Sequence, residues 1–272
     1  MSYALSEVLQ TVERLWPAAG ASSWDATGLV LGHPDDQVSR VGFVVDVVGD
    51  TVDEAVDART DLLIAHHPLL LRGVTSLAGD GVKGALATRL LRARCALVSA
   101  HTNADVVAEG TSGVLAALLG LSDVRPLEPD ASGDAGIGRI GRLPEPTTLG
   151  ALAATQSHVL PATASGVRAA GRYDEVVSTV ALCAGAGDSL LDHPAVRSAD
   201  VYITSDLRHH PASDARERAL LGGGPALLDT SHWASEWLWL EAGARQLRSA
   251  LPDLDVRVSD LRTDPWDFVV TQ

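Results

Sequence analysis

The same order of segments runs twice along this chain. A short apolar run, a helix-like stretch and a second apolar run lead to the tripeptide His-His-Pro. Another helix-like stretch and a third apolar run then end at a His-x-x-x-acid motif. In the first half the runs are Val41 to Val45, Asp61 to Ala65 and Ala96 to Ser99, with His66-His67-Pro68 and His101-Thr-Asn-Ala-Asp105. In the second they are Val176 to Cys183, Val201 to Thr204 and Pro225 to Leu228, with His209-His210-Pro211 and His232-Trp-Ala-Ser-Glu236. Short apolar runs without polar alternation read as strands buried on both faces. The intervening periodicity predicts helices over 51–59, 83–94 and 189–196, after an N-terminal helix over 6–15 that Pro17 ends. Alternation of this kind is α/β architecture. Its repetition predicts duplication of one α/β unit, with a site where the halves meet.

The expected division is a first unit over 1–127, a Gly/Pro-rich join over 128–141 and a second unit over 142–272, with the C-terminal helix able to pack on the first unit. The join contains Gly136-Ile-Gly-Arg-Ile-Gly141, which fits the dinucleotide-binding glycine pattern letter for letter. That pattern works only between a strand and a helix N-terminus. Here a polar loop precedes it and Leu143-Pro144-Glu145-Pro146 follows, so no dinucleotide site is expected.

Composition removes several function classes. The net charge is −14, and Lys83 is the only lysine. No dense basic patch exists for a nucleic-acid backbone, although a small nucleotide could bind through a few arginines and a metal. The two cysteines, Cys95 and Cys183, stand singly in apolar runs and read as buried free thiols. The start lacks the basic flank and apolar stretch of a signal peptide, and no segment approaches the length of a membrane span. A cytoplasmic location is the expectation.

The histidine motifs carry the chemistry. His232 and Glu236, four apart on a helical stretch, share one face and can reach one ion. Alone they are explained as well by a surface pair. His66 and His67 follow a strand, where adjacent side chains point to opposite sides, which suits one histidine to each of two ions. Alone they are explained as well by a His-Pro turn. Asp105 alone would be a cap or turn residue. His101 fits a ligand, a partner orienting a ligand, or a proton carrier, and His209 and His210 share that ambiguity. His33, His158 and His193 read as surface. Trp237 and Trp239 read as packing, whereas Trp233 suits packing or base stacking equally.

Together the strand ends offer His66, His67, Asp105, His232 and Glu236, three imidazoles and two carboxylates. Glu236 can bridge an ion held by His66 and Asp105 to one held by His67 and His232. Zn, Fe or Mn would suit such a set. Two-metal centres lower the pKa of bound water and polarise the bond under attack, which is hydrolytic machinery.

These motifs resemble the Nif3-like dinuclear-metal proteins, a family also labelled GTP cyclohydrolase 1 type 2. The resemblance spans essentially the whole chain. It rests on Trp24-Asp25-Ala-Thr-Gly28-Leu29, Ile64-Ala-His66-His67-Pro68 and His101-Thr-Asn-Ala-Asp105, with Gly136 to Gly141, Thr204-Ser-Asp206 through His210 and Ser231-His232 through Glu236. The chain departs from the usual strings at Ala26-Thr27, Ser205 and His209.

The resemblance implies two similar α/β units with a dinuclear metal site in the cleft between them. The same five residues would be the ligands, with Glu236 bridging, in a homohexamer built as a trimer of dimers. The implied activity is hydrolytic opening of the guanine imidazole ring of GTP, with His101 or His210 moving protons. Two further readings use the same residues: a hydrolase of phosphoesters or another small substrate, and a non-enzymatic metal-binding scaffold.

Overall fold

In the first unit, Val41, Phe43 and Val44 are all buried, as are Leu62 to Ala65 and Ala96 to Ser99. Runs enclosed on both faces form the interior strands of a parallel sheet. The computed structural model describes residues 2–130 and 133–271. It contains two compact units, the chain up to Ala104 with Leu240–Thr263, and Asp105–Trp239 with the chain from Asp264.

The first unit holds β1 (Gly28–Leu31), β2 (Arg40–Val44), β3 (Leu62–Ala65) and β4 (Ala96–Ser99). The sheet order is Asp255–Val258, β2, β3, β4, β1, parallel throughout except for β1. Helices α1 (Leu5–Leu15), α2 (Gly49–Asp57) and α3 (Val82–Arg92) match the predicted segments within one or two residues. α2 starts early because the Thr51 hydroxyl accepts the Val48 N–H at 3.0 Å, closing its first turn. Its Val52 and Ala55 pack with Val44, Leu63, Leu86 and Leu90. Each such leucine contributes roughly 1.5–3 kcal/mol by leaving water.

The second unit holds α4 (Thr111–Leu118), β5 (Ser122–Arg125), β6 (Arg139–Thr148), α5 (Leu149–Val159), β7 (Arg168–Ala170), β8 (Val176–Ala186), β9 (Val201–Ser205), α6 (His209–Leu220) and β10 (Ala226–Thr230). The sheet order is β7-β10-β9-β8-β6-β5, with β8, β9 and β10 parallel and the outer strands antiparallel. Period two divides the core cleanly. Val180, Leu182, Val201, Ile203 and Leu228 pack on one face, and Ala181, Cys183, Tyr202 and Leu227 on the other. The long helix α7 (His232–Ala250) begins in this unit and ends in the first.

A repeated aspartate shows that the units are alike. Asp61 Oδ2 accepts the Ser39 N–H, the Ser39 hydroxyl and the Arg40 N–H at 2.8–2.9 Å. Asp200 Oδ2 accepts the Ser178 N–H, the Ser178 hydroxyl and the Thr179 N–H at 2.7–3.0 Å. Burial pushes the Asp200 carboxyl up, but these hydrogen bonds more than offset it and hold the group below its usual range. Each aspartate immediately precedes an interior strand of its sheet that has parallel neighbours on both sides.

That alignment corrects one feature of the sequence repeat. Counting from Asp61 and Asp200, His66 and His67 correspond to Ser205 and Asp206. The second His-His-Pro instead opens α6, where His209 and His210 are exposed. The two tripeptides share spelling but not position.

The join also differs from expectation. Glu128–Pro129 pairs with Gly136–Ile137, and β6 begins at Arg139; Ala131 and Ser132 lie outside the described residues. Residues 105–127, expected in the first unit, belong to the second. There, Leu115, Ala116 and Leu119 of the α4 segment pack with Leu149, Val180 and Leu182, and β5 pairs with β6. The glycine string serves Arg139, whose guanidinium donates to the Gly136, Gly138 and Val107 carbonyls at 2.5–2.7 Å. A Cβ on Gly138, at φ +63°, would stand 2.7 Å from the Leu127 side chain. The string leads into a strand, so the dinucleotide geometry is absent from it.

The helix predicted over 189–196 is two short pieces, Asp188–Leu190 and Pro194–Arg197. Pro194 cannot donate an N–H to a continuous helix and starts a new turn instead. Both cysteines are buried free thiols, and burial pushes each up to about 12. Among the described residues, no helix is long and apolar enough to cross a membrane.

Candidate metal centre

In the first unit, β3 ends at Ala65, and His66 and His67 follow it. His66 is fully buried, with Nδ1 2.9 Å from the Ala100 carbonyl. A carbonyl only accepts, so Nδ1 carries the proton and Nε2 the lone pair. His67 Nδ1 lies 2.7 Å from Asp46 Oδ1, and the Thr263 hydroxyl donates to Asp46 Oδ2 at 2.5 Å. His101 Nδ1 lies 2.8 Å from Asp25 Oδ1. Asp25 also accepts the Ala26 N–H at 2.7 Å, the Thr102 N–H at 3.0 Å and the Thr102 hydroxyl. Burial pushes Asp25 up, but His101 and these donors outweigh it and hold the carboxyl below its usual value.

The rings of His66, His67 and His101 stand 5.2–5.6 Å apart. One nitrogen from each lies within 4.8 Å of the others. This differs from the opposite-facing arrangement that an extended backbone predicts. The strand has ended before His66, so the two neighbours turn into a common cluster. The exposed Trp24 ring stands edge-on to His101 at 5.9 Å.

In the second unit, His232 begins α7 and Glu236 follows one turn later, as the spacing predicts. His232 Nδ1 donates to Asp206 Oδ2 at 2.7 Å, and Nε2 lies 2.9 Å from Glu236 Oε1. Glu236 is buried. Burial by itself would lower the His232 pKa, but Glu236 and Asp206 together push it up to about 11. Positive charge between this imidazole and carboxylate is strongly stabilised, which is what a cation site requires. Asp206 sits at φ +57°, a conformation that Asp tolerates better than most residues. Gly185, at φ +73°, leaves room beside the pair: a Cβ there would stand 2.3 Å from Glu236 Oε1 and 3.3 Å from His232 Nε2.

Asp105 ends the single helical turn Thr102–Asp105, and its Oδ1 accepts the Thr111 hydroxyl at 2.6 Å. The charge of Asp105 also acts on buried Arg139. His210 is exposed on the first turn of α6, its ring 5.1 Å from that of His209. His33 and His158 are exposed; His193 accepts the Ala195 N–H at 3.3 Å and caps a helical turn. Trp233 and Trp239 are buried, with the Trp237 ring 6.2 Å from Trp233.

Sequence reasoning missed the residues that hold the imidazoles. Asp25 and Asp206 belong to quoted motif strings, and Asp46 directly follows an apolar run, but nothing in their spacing names their histidine partners. The donor set fits a divalent ion. In the first unit it comprises imidazoles oriented by carboxylates or a carbonyl, and in the second an imidazole oriented by Asp206 next to the buried Glu236 carboxylate. Zn, Fe and Mn all accept such ligands.

The fold and these side chains define a duplicated α/β protein with carboxylate-oriented histidines at its strand ends. The model of the Duf34/NIF3 (NGG1p interacting factor 3) family matches residues 3–265, and the chain belongs to that family. A Streptomyces coelicolor protein named "GTP cyclohydrolase 1 type 2 homolog" is 50% identical over 269 residues, covering 96% of this chain and 93% of that relative. A Mycobacterium tuberculosis protein of the same name is 33% identical, covering 98% of each. The crystal structure of a Bacillus cereus protein related to NIF3 has a TM-score of 0.89 at 23% identity, covering 98% of this chain and 99% of that one. A Staphylococcus aureus hypothetical protein has a TM-score of 0.87 at 25% identity, with the same coverage.

Proposed function

We propose that the chain is a metal-dependent hydrolase in which His66, His67, Asp105, His232 and Glu236 hold two divalent ions. The observation that carries this reading is the carboxylate-oriented imidazole, present in both units as Asp46–His67 and Asp206–His232. Such partners fix the tautomer and raise ligand basicity. When bound, the ions would supply an acidified water and polarise the bond under attack.

The named relatives support GTP as substrate, with hydrolytic opening of its imidazole ring. Asp25 holds His101 in the orientation that a proton carrier needs, with the other ring nitrogen among the clustered imidazoles. His210 is the second proton carrier in this proposal, acting from the start of α6. The protein would work in the cytoplasm as a homohexamer, a trimer of dimers.

The test is formate release from GTP by the metal-loaded protein. Metal-dependent release, lost on chelation and in Glu236→Ala, is the expected result. A loaded protein that retains its ions and releases no formate would overturn the GTP assignment, and phosphoesters would be screened next. Absence of any turnover would favour a metal-binding scaffold, a role that the family's description as an interacting factor supports.

A further inference from the structure

We propose that a cleft at the edge of the second unit is an anion subsite for a phosphorylated small molecule. The inference deepens the hydrolase reading and rests on it for the identity of the substrate. The cleft, of about 410 Å³, lies between edge strand β7 and helix α6. This is within the range of small-molecule sites, roughly 300–1,000 Å³. One face of α6 lines it, with His209, Ser213 and Arg216 at helical spacing, and Arg168 enters from β7.

The charges are lopsided. Arg168 and Arg216 face a single acid, Asp229, with the His209 imidazole beside them. That carboxylate is already engaged: Oδ1 accepts the Leu207 N–H at 3.1 Å, and Oδ2 accepts from Arg168. It is 8% exposed, whereas the Arg168 side chain is 67% exposed and keeps further N–H donors for the cleft. Arg216 makes no hydrogen bond or ion pair among the described residues. In a chain with 35 acidic and 21 basic residues, this is a local reversal of the prevailing charge.

Two guanidiniums with an imidazole and a hydroxyl suit phosphate oxygens, which accept the planar arginine fork. No side chain caps the start of α6, so its first-turn N–H groups add to the positive potential. The cleft also adjoins the candidate centre along the chain. Leu207, in its wall, directly follows Asp206, the partner of His232. A substrate anchored here by its phosphates would be held beside the loop that orients a proposed ligand. This explains how so acidic a chain could take an anionic substrate.

The test is calorimetric titration of the full chain with inorganic phosphate, in wild type, Arg216→Ala, Arg216→Lys and Glu236→Ala. Arg216 is exposed, so the melting temperature of Arg216→Ala should equal that of wild type. Phosphate affinity should fall about tenfold in Arg216→Ala, recover partly in Arg216→Lys and persist in Glu236→Ala, with metal content unchanged in both Arg216 variants. GTP should displace phosphate and guanosine should not. Absence of phosphate binding in wild type, or equal affinity in Arg216→Ala, overturns the subsite. Loss of phosphate binding in Glu236→Ala also overturns it, by placing the anion at the metal. Phosphate that GTP cannot displace overturns the substrate assignment. If phosphate binds as expected while GTP is never opened, the subsite stands and the hydrolase reading alone fails.

Discussion

Gly185→Ala is expected to weaken metal binding by tenfold or more and to lower the melting temperature by several degrees. The added Cβ would stand 2.3 Å from Glu236 Oε1, far inside contact distance. The backbone there is pinned from both sides. The Gly185 N–H donates to the Ser235 hydroxyl at 2.9 Å, and the Thr204 hydroxyl donates to the Gly185 carbonyl at 3.1 Å. The irregularity in β8 at this point also holds φ at +73°, which costs a residue bearing a Cβ about 1 kcal/mol or more. Since the backbone is fixed, the Glu236 carboxylate must move, and it is buried. The combined cost is of the order of 2 kcal/mol, which for a chain of this size shifts the melt by roughly 4–8 °C. A thermal melt beside a chelator-competition titration checks both effects. Wild-type values in both would show that the backbone yields and that Glu236 is not held as a ligand.

Asp206→Asn should weaken metal binding by about 10–100-fold while leaving the fold intact. Asn tolerates a positive φ much as Asp does, so the residue can stay at +57°. Its amide oxygen can still accept from His232 Nδ1. What disappears is the negative charge that makes the imidazole a better donor of its lone pair. The affinity loss should appear in chelator competition with no change in circular dichroism. Asp46→Asn, acting on His67, should behave alike in the first unit. Unchanged affinity in both variants would reduce these carboxylates to surface partners of histidine.

Much of this architecture is legible in the chain itself. Leu62 to Ala65 and Val201 to Thr204 carry no polar alternation, and both are interior strands with parallel neighbours on each side. The pairing of His232 with Glu236 follows from helical spacing alone. The carboxylate partners do not follow from spacing. Asp46 precedes His67 by 21 residues, Asp25 precedes His101 by 76, and Asp206 precedes His232 by 26. Those separations are set by sheet order and loop path, which no local pattern encodes.

The second His-His-Pro misled for a related reason. Three matching letters say nothing about register, whereas the hydrogen bonds of Asp61 and Asp200 fix it. Gly/Pro content marked residues 128–141 as a join, but the apolar face of α4 decides that the preceding segment packs with the second unit. Burial of leucines outweighs a change in loop composition.

Elemental analysis of metal per chain tests the central claim most directly, on protein purified without chelator or tag-borne metal, beside Glu236→Ala. The account predicts about two ions per chain in the wild type and a sharp fall in the variant, because Glu236 is one of the proposed ligands. Negligible metal in the wild type, even after supplying Zn, Mn and Fe, would contradict it: the five residues would not form a common centre, and the hydrolase reading would fall with them.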